Sequence, residues 1–208
     1  MRLRRGADGF TLVELLVAIV ILGIITVPLS NVVIGYFRNT DATTARLIES
    51  HDAQISSAYW AQDVASIGTR STTAPYSLNQ SVWTGASSLY LCPTAGTPIV
   101  SLAWDDFTSA GTRTLIQVVY VVQTVSGQTE LHRVRCEGSA AVVSDVSLAH
   151  DLDPSTPPTV ACLGTSGVNC AAGGPDVPKF VTLTLTIKDP KNLGAAYVVK
   201  LTGQRRQS

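Results

Sequence analysis

The chain is 208 residues long with 15 basic and 15 acidic side chains, so with its histidines neutral it carries no net charge at pH 7. Charged residues make up only 14%, which excludes the broad positive field of a general nucleic-acid binder. The length admits one domain with a proper hydrophobic core, and four cysteines pose the question of redox compartment.

The first nine residues, MRLRRGADG, hold Arg2, Arg4 and Arg5. An apolar stretch follows from Phe10 to Phe37, and the 23 residues between Glu14 and Arg38 carry no charge. Coiled as a helix at about 1.5 Å per residue they would reach roughly 34 Å, enough for a hydrocarbon core of about 30 Å. Glu14 lies just inside this stretch, where an unpaired charge costs a few kcal/mol near the membrane centre, so its presence needs a reason. Arginines ahead of the run and few basic residues soon after it predict an N-terminus on the inner side. A secretory signal would need a small-x-small site after its apolar core, and the run ends instead in VPLSNVVIGYF. A lipoprotein signal would need a cysteine at that border, and the first is Cys92. A plain single-pass anchor stays open on hydropathy alone.

The residues Gly9-Phe10-Thr11-Leu12-Val13-Glu14, followed by Leu15-Leu16-Val17-Ala18-Ile19, resemble the processing and N-methylation motif of type IV prepilins and type II secretion pseudopilins. The resemblance implies cleavage after Gly9 by a prepilin peptidase on the cytoplasmic side and methylation of the new amine of Phe10. It implies extraction from membrane lipid by an inner-membrane assembly platform into a helical filament of pilin or pseudopilin subunits. By the same resemblance Glu14 pairs with the terminal amine of a neighbouring subunit, which makes a carboxylate tolerable in an apolar filament core. The implied location is the cell membrane, single-pass, with a cytoplasmic N-terminus and the head outside, then an extracellular or periplasmic filament. No cofactor is implied.

Gly23 and Pro28 interrupt the apolar run, and a kink or local melting near Ile24–Pro28 is expected. From Arg38 the composition turns polar while Ala45, Ile48, Ile55, Tyr59 and Ala65, with Leu47, Ala58 and Val64 less regularly, keep helical spacing. One helix is predicted over 11–67, ending at Gly68, which suits a left-handed cap. Residues 68–87 read as a connecting loop, and the Asn79-Gln80-Ser81 triplet as loop sequence. Strands are predicted at Ser88–Cys92, Thr114–Thr124, Thr129–Cys136 and Ala141–Ala149, with Ser126-Gly127-Gln128 as a tight turn. In TELHRVRC, Leu131 and Val134 are expected inside and His132, Arg133 and Arg135 mostly exposed. Residues 150–178 read as an irregular excursion rich in Pro and Gly. Phe180–Lys188 and Ala195–Gly203 form a final hairpin around 189–194, with Val181, Leu183, Leu185 and Ile187 on one face and Thr182, Thr184 and Thr186 on the other.

The fold class is therefore α+β, one long N-terminal helix with a membrane half and an amphipathic half packed on one apolar face of an antiparallel sheet. This layout is similar to the larger minor pseudopilins, such as pseudopilin J and minor pilin W. The expected divisions are a leader at 1–9, a membrane or filament-core segment at 10–37, the amphipathic half at 38–68 and a β-rich head at 69–208. The four cysteines and the 150–178 excursion depart from the common core of that family. The presence of Glu14 argues against a place at the extreme filament tip.

Cys92, Cys136, Cys162 and Cys170 all follow the membrane segment and fit two disulfides in an oxidising compartment. Three connectivities are open, with free buried thiols as the alternative. Cys92–Cys136 with Cys162–Cys170 is favoured because the latter closes a short Gly-rich loop. Zinc is disfavoured, since no CxxC pair occurs and the histidines are scattered.

No catalytic set is expected. His51, His132 and His150 read as surface or packing residues, and Asp105-Asp106 after Trp104 as a solvated turn. Asp145, Asp151 and Asp153 lack the alternating oxygen ligands of a calcium loop. Gly164, Gly167, Gly173 and Gly174 do not sit between a strand and a helix as a phosphate cradle requires. Trp60, Trp83 and Trp104 read as core or interface, and Arg205-Arg206 as a solvated tail. Two functions follow: a minor pilin or pseudopilin, or a single-pass membrane-anchored extracytoplasmic binding domain outside any filament.

Overall fold

The computed structural model describes residues 10–87, 92–107, 109–138, 141–164, 167, 169–171, 173–188 and 195–206. The chain divides into two compact units, Met1–Ala45 and Arg46–Ser208. A single helix, α1, runs over Leu12–Ser66 and supplies both with backbone.

In the first unit α1 passes through Pro28 without a break, so the expected melting near Ile24–Pro28 does not occur. The hydroxyls of Thr26 and Ser30 donate to the carbonyls of Leu22 and Thr26, at 2.6 and 2.9 Å. Such back-bonding keeps polar side chains satisfied within the helix, as an apolar surround demands.

In the second unit α1 ends one residue short of its predicted boundary, and Gly68 follows with φ 146°. The Gly68 N–H turns away from the helix to the Ala103 carbonyl (3.1 Å), and the Arg206 N–H reaches the Ala65 carbonyl (3.1 Å). The second contact occupies one of the orphan acceptors that every helix end leaves.

Two antiparallel sheets follow, where sequence predicted one. The first has five strands in the order β1 (Val82–Thr84), β2 (Thr97–Phe107), β3 (Arg113–Val125), β4 (Gln128–Glu137) and β5 (Ala141–Ala149). The second has three, β6 (Thr159–Leu163), β7 (Phe180–Ile187) and β8 (Tyr197–Gln204). The β3–β4 turn is Ser126-Gly127, closed by the Val125–Gln128 pair, with φ values of 52° and 86°. Both are positive, as a two-residue hairpin turn that follows the strand twist requires, and glycine takes that conformation without strain.

Several expectations are corrected. The 68–87 loop contains β1. Residues 97–107, unassigned from sequence, form β2, so Asp105 and Asp106 lie in a strand rather than a solvated turn. The excursion at 150–178 contains β6, which pairs with β7 and detaches the final hairpin from the main sheet. The Ser88–Cys92 strand and the 189–194 turn fall largely or wholly outside the described residues.

Burial explains why β3, the strongest strand pattern in the sequence, lacks alternation. In β3, Val118 and Tyr120 join the main core, while Val119 and Val121 face the other way with Val134, Cys136 and Cys92. A strand covered on both faces loses its alternation and becomes a continuous apolar run. The main core is shared by Trp60, Val64 and Ile67 of α1 and by inner-face residues of both sheets, among them Leu102, Leu131, Leu183, Leu185 and Leu201. Trp60 meets Tyr120 edge to face at 4.9 Å and donates its indole N–H to the Val181 carbonyl at 3.1 Å. Gly203 of β8 lies against Val64 so closely that a Cβ there would come within 2.5 Å of the valine Cβ.

Candidate processing and assembly site

Phe10 and Thr11 precede the first turn of α1, and Gly9 lies outside the described residues. Thr11 caps the helix. Its Oγ1 accepts from the Glu14 N–H (3.3 Å), while Glu14 Oε2 accepts from both the Thr11 N–H (3.2 Å) and the Thr11 hydroxyl (3.0 Å). This reciprocal T-x-x-E arrangement satisfies donors that the helix start would otherwise leave unpaired. The Leu15 N–H closes the first intrahelical bond to the Thr11 carbonyl. Sequence reasoning singled out Glu14 for its misplaced charge and missed its capping role, although the three-residue spacing from Thr11 was there to be read.

Phe10 is 82% exposed, and every large apolar side chain from Leu12 to Phe37 is exposed as well. α1 is long and apolar enough to cross a membrane. A helix apolar on all sides needs a partner around its whole circumference, whether lipid or other helices.

The head contains two disulfides, Cys92–Cys136 and Cys162–Cys170. The first pins the segment before β2 onto the outer face of β4, and the second ties the end of β6 to the loop beyond it. Among the described residues no three His, Cys, Asp or Glu side chains converge as a metal site.

Three polar residues on the buried face of α1 fasten it to the first sheet. Ser56 donates to the Leu148 carbonyl (3.0 Å), and Asp52 accepts from the His150 backbone N–H (2.9 Å). Asp63 receives Arg133 through Nε (2.7 Å) and Nη2 (2.6 Å) and also the Tyr120 hydroxyl (2.7 Å). Burial pushes the Tyr120 phenol well above its usual range, and the Asp63 charge adds to it. Burial alone would lower the Arg133 guanidinium, but its bonds to Asp63 outweigh that and hold it above its usual value. Arg133 is therefore buried and paired, not exposed as β4's sequence suggested. His51 is exposed, whereas Arg205 is half-buried rather than a solvated tail residue, with its backbone N–H on the Lys179 carbonyl (2.8 Å).

Asp52, His150 and Ser147 line up in the manner of a hydrolase relay, with His150 Nδ1 2.9 Å from Asp52 Oδ2 and Nε2 3.4 Å from Ser147 Oγ. The Ser147 hydroxyl, however, donates to Glu130 Oε2 at 2.8 Å, so its proton is directed to that carboxylate rather than to the imidazole.

No curated protein matches the chain. The family model that does match is described as the prokaryotic N-terminal methylation motif, and on residues 4–30, which include the Thr11–Glu14 cap, the chain carries that prepilin-type signature.

Proposed function

We propose that this chain is a minor pilin or pseudopilin, a structural subunit that joins a type IV pilus or a type II secretion pseudopilus through its N-terminal helix. In this reading a prepilin peptidase cuts between Gly9 and Phe10, the Phe10 amine is methylated, and an inner-membrane assembly platform moves the subunit from lipid into the filament. Before assembly the subunit is a single-pass membrane protein with its β-rich head outside. Its layout is similar to that of pseudopilin J and minor pilin W.

The observation that carries the reading is Glu14, an acid at the start of a helix whose next 23 residues are uncharged. The capping bonds gather on Oε2, and an ionised carboxylate offers about four acceptor positions, so an amine from a neighbouring subunit can be received without breaking the cap. A fixed cation meeting this carboxylate offsets the cost of placing it among apolar helices.

Mass spectrometry of the mature N-terminus tests the proposal. N-methyl-Phe10 as the first residue is the expected result. An intact Met1 or Arg2 leaves a tethered extracytoplasmic binding domain as the better reading.

A further inference from the structure

The head holds a chain of alternating carboxylates and imidazoles that the filament reading does not use. It begins at Asp145 on β5, whose Oδ1 lies 2.8 Å from His132 Nδ1. The other ring nitrogen of His132 faces Glu130 Oε2 at 3.2 Å. The same Glu130 oxygen is 3.9 Å from His150 Nε2, and His150 Nδ1 is 2.9 Å from Asp52 Oδ2 on α1. Asp52 and Glu130 are buried, while Asp145 is open to solvent.

The hydrogen count of imidazole decides what this chain can do. A neutral ring has one N–H, and only the imidazolium has two. His132 is bracketed by carboxylate oxygens at both nitrogens, so it can donate to Asp145 and Glu130 together only when cationic. A neutral His150 that donates to Asp52 turns a lone pair toward the Glu130 carboxylate. With both rings protonated, two positive charges are interleaved with three negative ones. With both neutral, neither ring brings a positive charge to the three carboxylates.

We propose that Asp52, Glu130, Asp145, His132 and His150 form a proton-operated clasp between α1 and the β4–β5 edge. Under mildly acidic conditions the His150 ring is cationic and the helix is held tightly at Asp52. As pH rises past the His150 pKa that ring loses its proton, and the hold on the helix around Asp52 slackens. The groups facing the two imidazoles are Asp52 from α1, Glu130 from β4, Asp145 from β5 and Asp151 from the segment after it.

The direction of the His150 equilibrium agrees. Burial pulls its pKa down, but the Asp52 hydrogen bond and the charges of Asp52, Glu130 and Asp151 outweigh burial and hold it above the ordinary histidine value. A raised folded-state pKa gives stability that is complete below the unfolded value of about 6.5 and is lost as pH climbs through the folded value. The clasp therefore closes toward acid and opens toward base. It stands or falls independently of any filament.

The test uses the full chain in detergent micelles, with imidazole nitrogen resonances and backbone hydrogen exchange followed from pH 5.5 to 8.5. His150 should titrate above about 6.5. The His150 amide, which donates to Asp52, should lose protection between pH 6 and 8 after correction for intrinsic exchange. Glu130→Gln should lower the His150 midpoint and flatten the pH dependence of that amide. A His150 midpoint at or below the ordinary value would overturn the clasp, and so would pH-independent protection of the wild-type amide. Both measurements are made on the unaltered protein, so the outcome does not depend on the variant folding.

Discussion

At the scale of single residues, charged groups decide both ends of α1. Glu14→Ala removes the cap and the charge together, whereas Glu14→Gln keeps a capping partner and removes only the charge. If the carboxylate serves assembly, both variants are still processed and both are poorly incorporated into filaments, as subunit counts in sheared filaments would show. Normal incorporation of the Gln form would assign Glu14 to capping alone. In the head, Asp63→Ala strands the Arg133 guanidinium in the interior. It is expected to cost about 3–5 kcal/mol, read by denaturant titration. Glu14 stood out in the sequence because a charge in an apolar run is conspicuous. Asp63 did not, because a lone acid in a polar helix half looks solvated. Its partner Arg133 sits in HRVR, which reads as surface, and only the fold reveals that the two meet.

Elements were legible wherever one face is wet. The two strands of the final hairpin have alternating faces, and the structure places them within two residues of where the pattern does. β2 escaped because its central residues are nearly all buried and its ends carry proline and aspartate, both of which suggest loops. The helix stripe was misjudged in detail. Leu47 and Ile48 are exposed, while Asp52, Ser56 and Asp63 occupy the buried face, each held by a hydrogen bond that sequence spacing cannot announce. Where α1 crosses β8, Gly203 leaves no room above Val64. Gly203→Ala should therefore destabilise the head by about 1–3 kcal/mol through overpacking. Adding Val64→Ala should return part of that loss, since the smaller side chain vacates the space the new methyl needs. A double-mutant cycle on thermal unfolding would measure the coupling.

For the whole molecule, the α+β class followed from one long helical pattern and several strand patterns, but the number of sheets did not. One sheet and two place identical demands on strand periodicity. What separates them is the pairing of β6 with β7, hidden in a stretch that Pro and Gly mark as irregular. The disulfides stabilise this architecture unequally. Cys92–Cys136 spans 44 positions and Cys162–Cys170 only 8. Chain-entropy loss in the unfolded state then gives about 4 kcal/mol for the first and about 2.5 for the second. Replacing each pair by alanines should lower the denaturation midpoint more for Cys92–Cys136, and the reverse ranking would show that native packing, not chain entropy, dominates.

Among the described residues strands β1 to β5 pair with their neighbours in the chain, so that sheet can zip up in the order in which its residues are made. The indole of Trp60 keeps a different calendar. It must wait for a carbonyl 121 positions downstream before its hydrogen has a home. Until β7 arrives, the oily flank of the helix is wet on one side, and the half-built head is at its stickiest. In a variant without Trp83 and Trp104, the emission of Trp60 should thus move twice, once as Tyr120 closes on the indole and again when β7 docks.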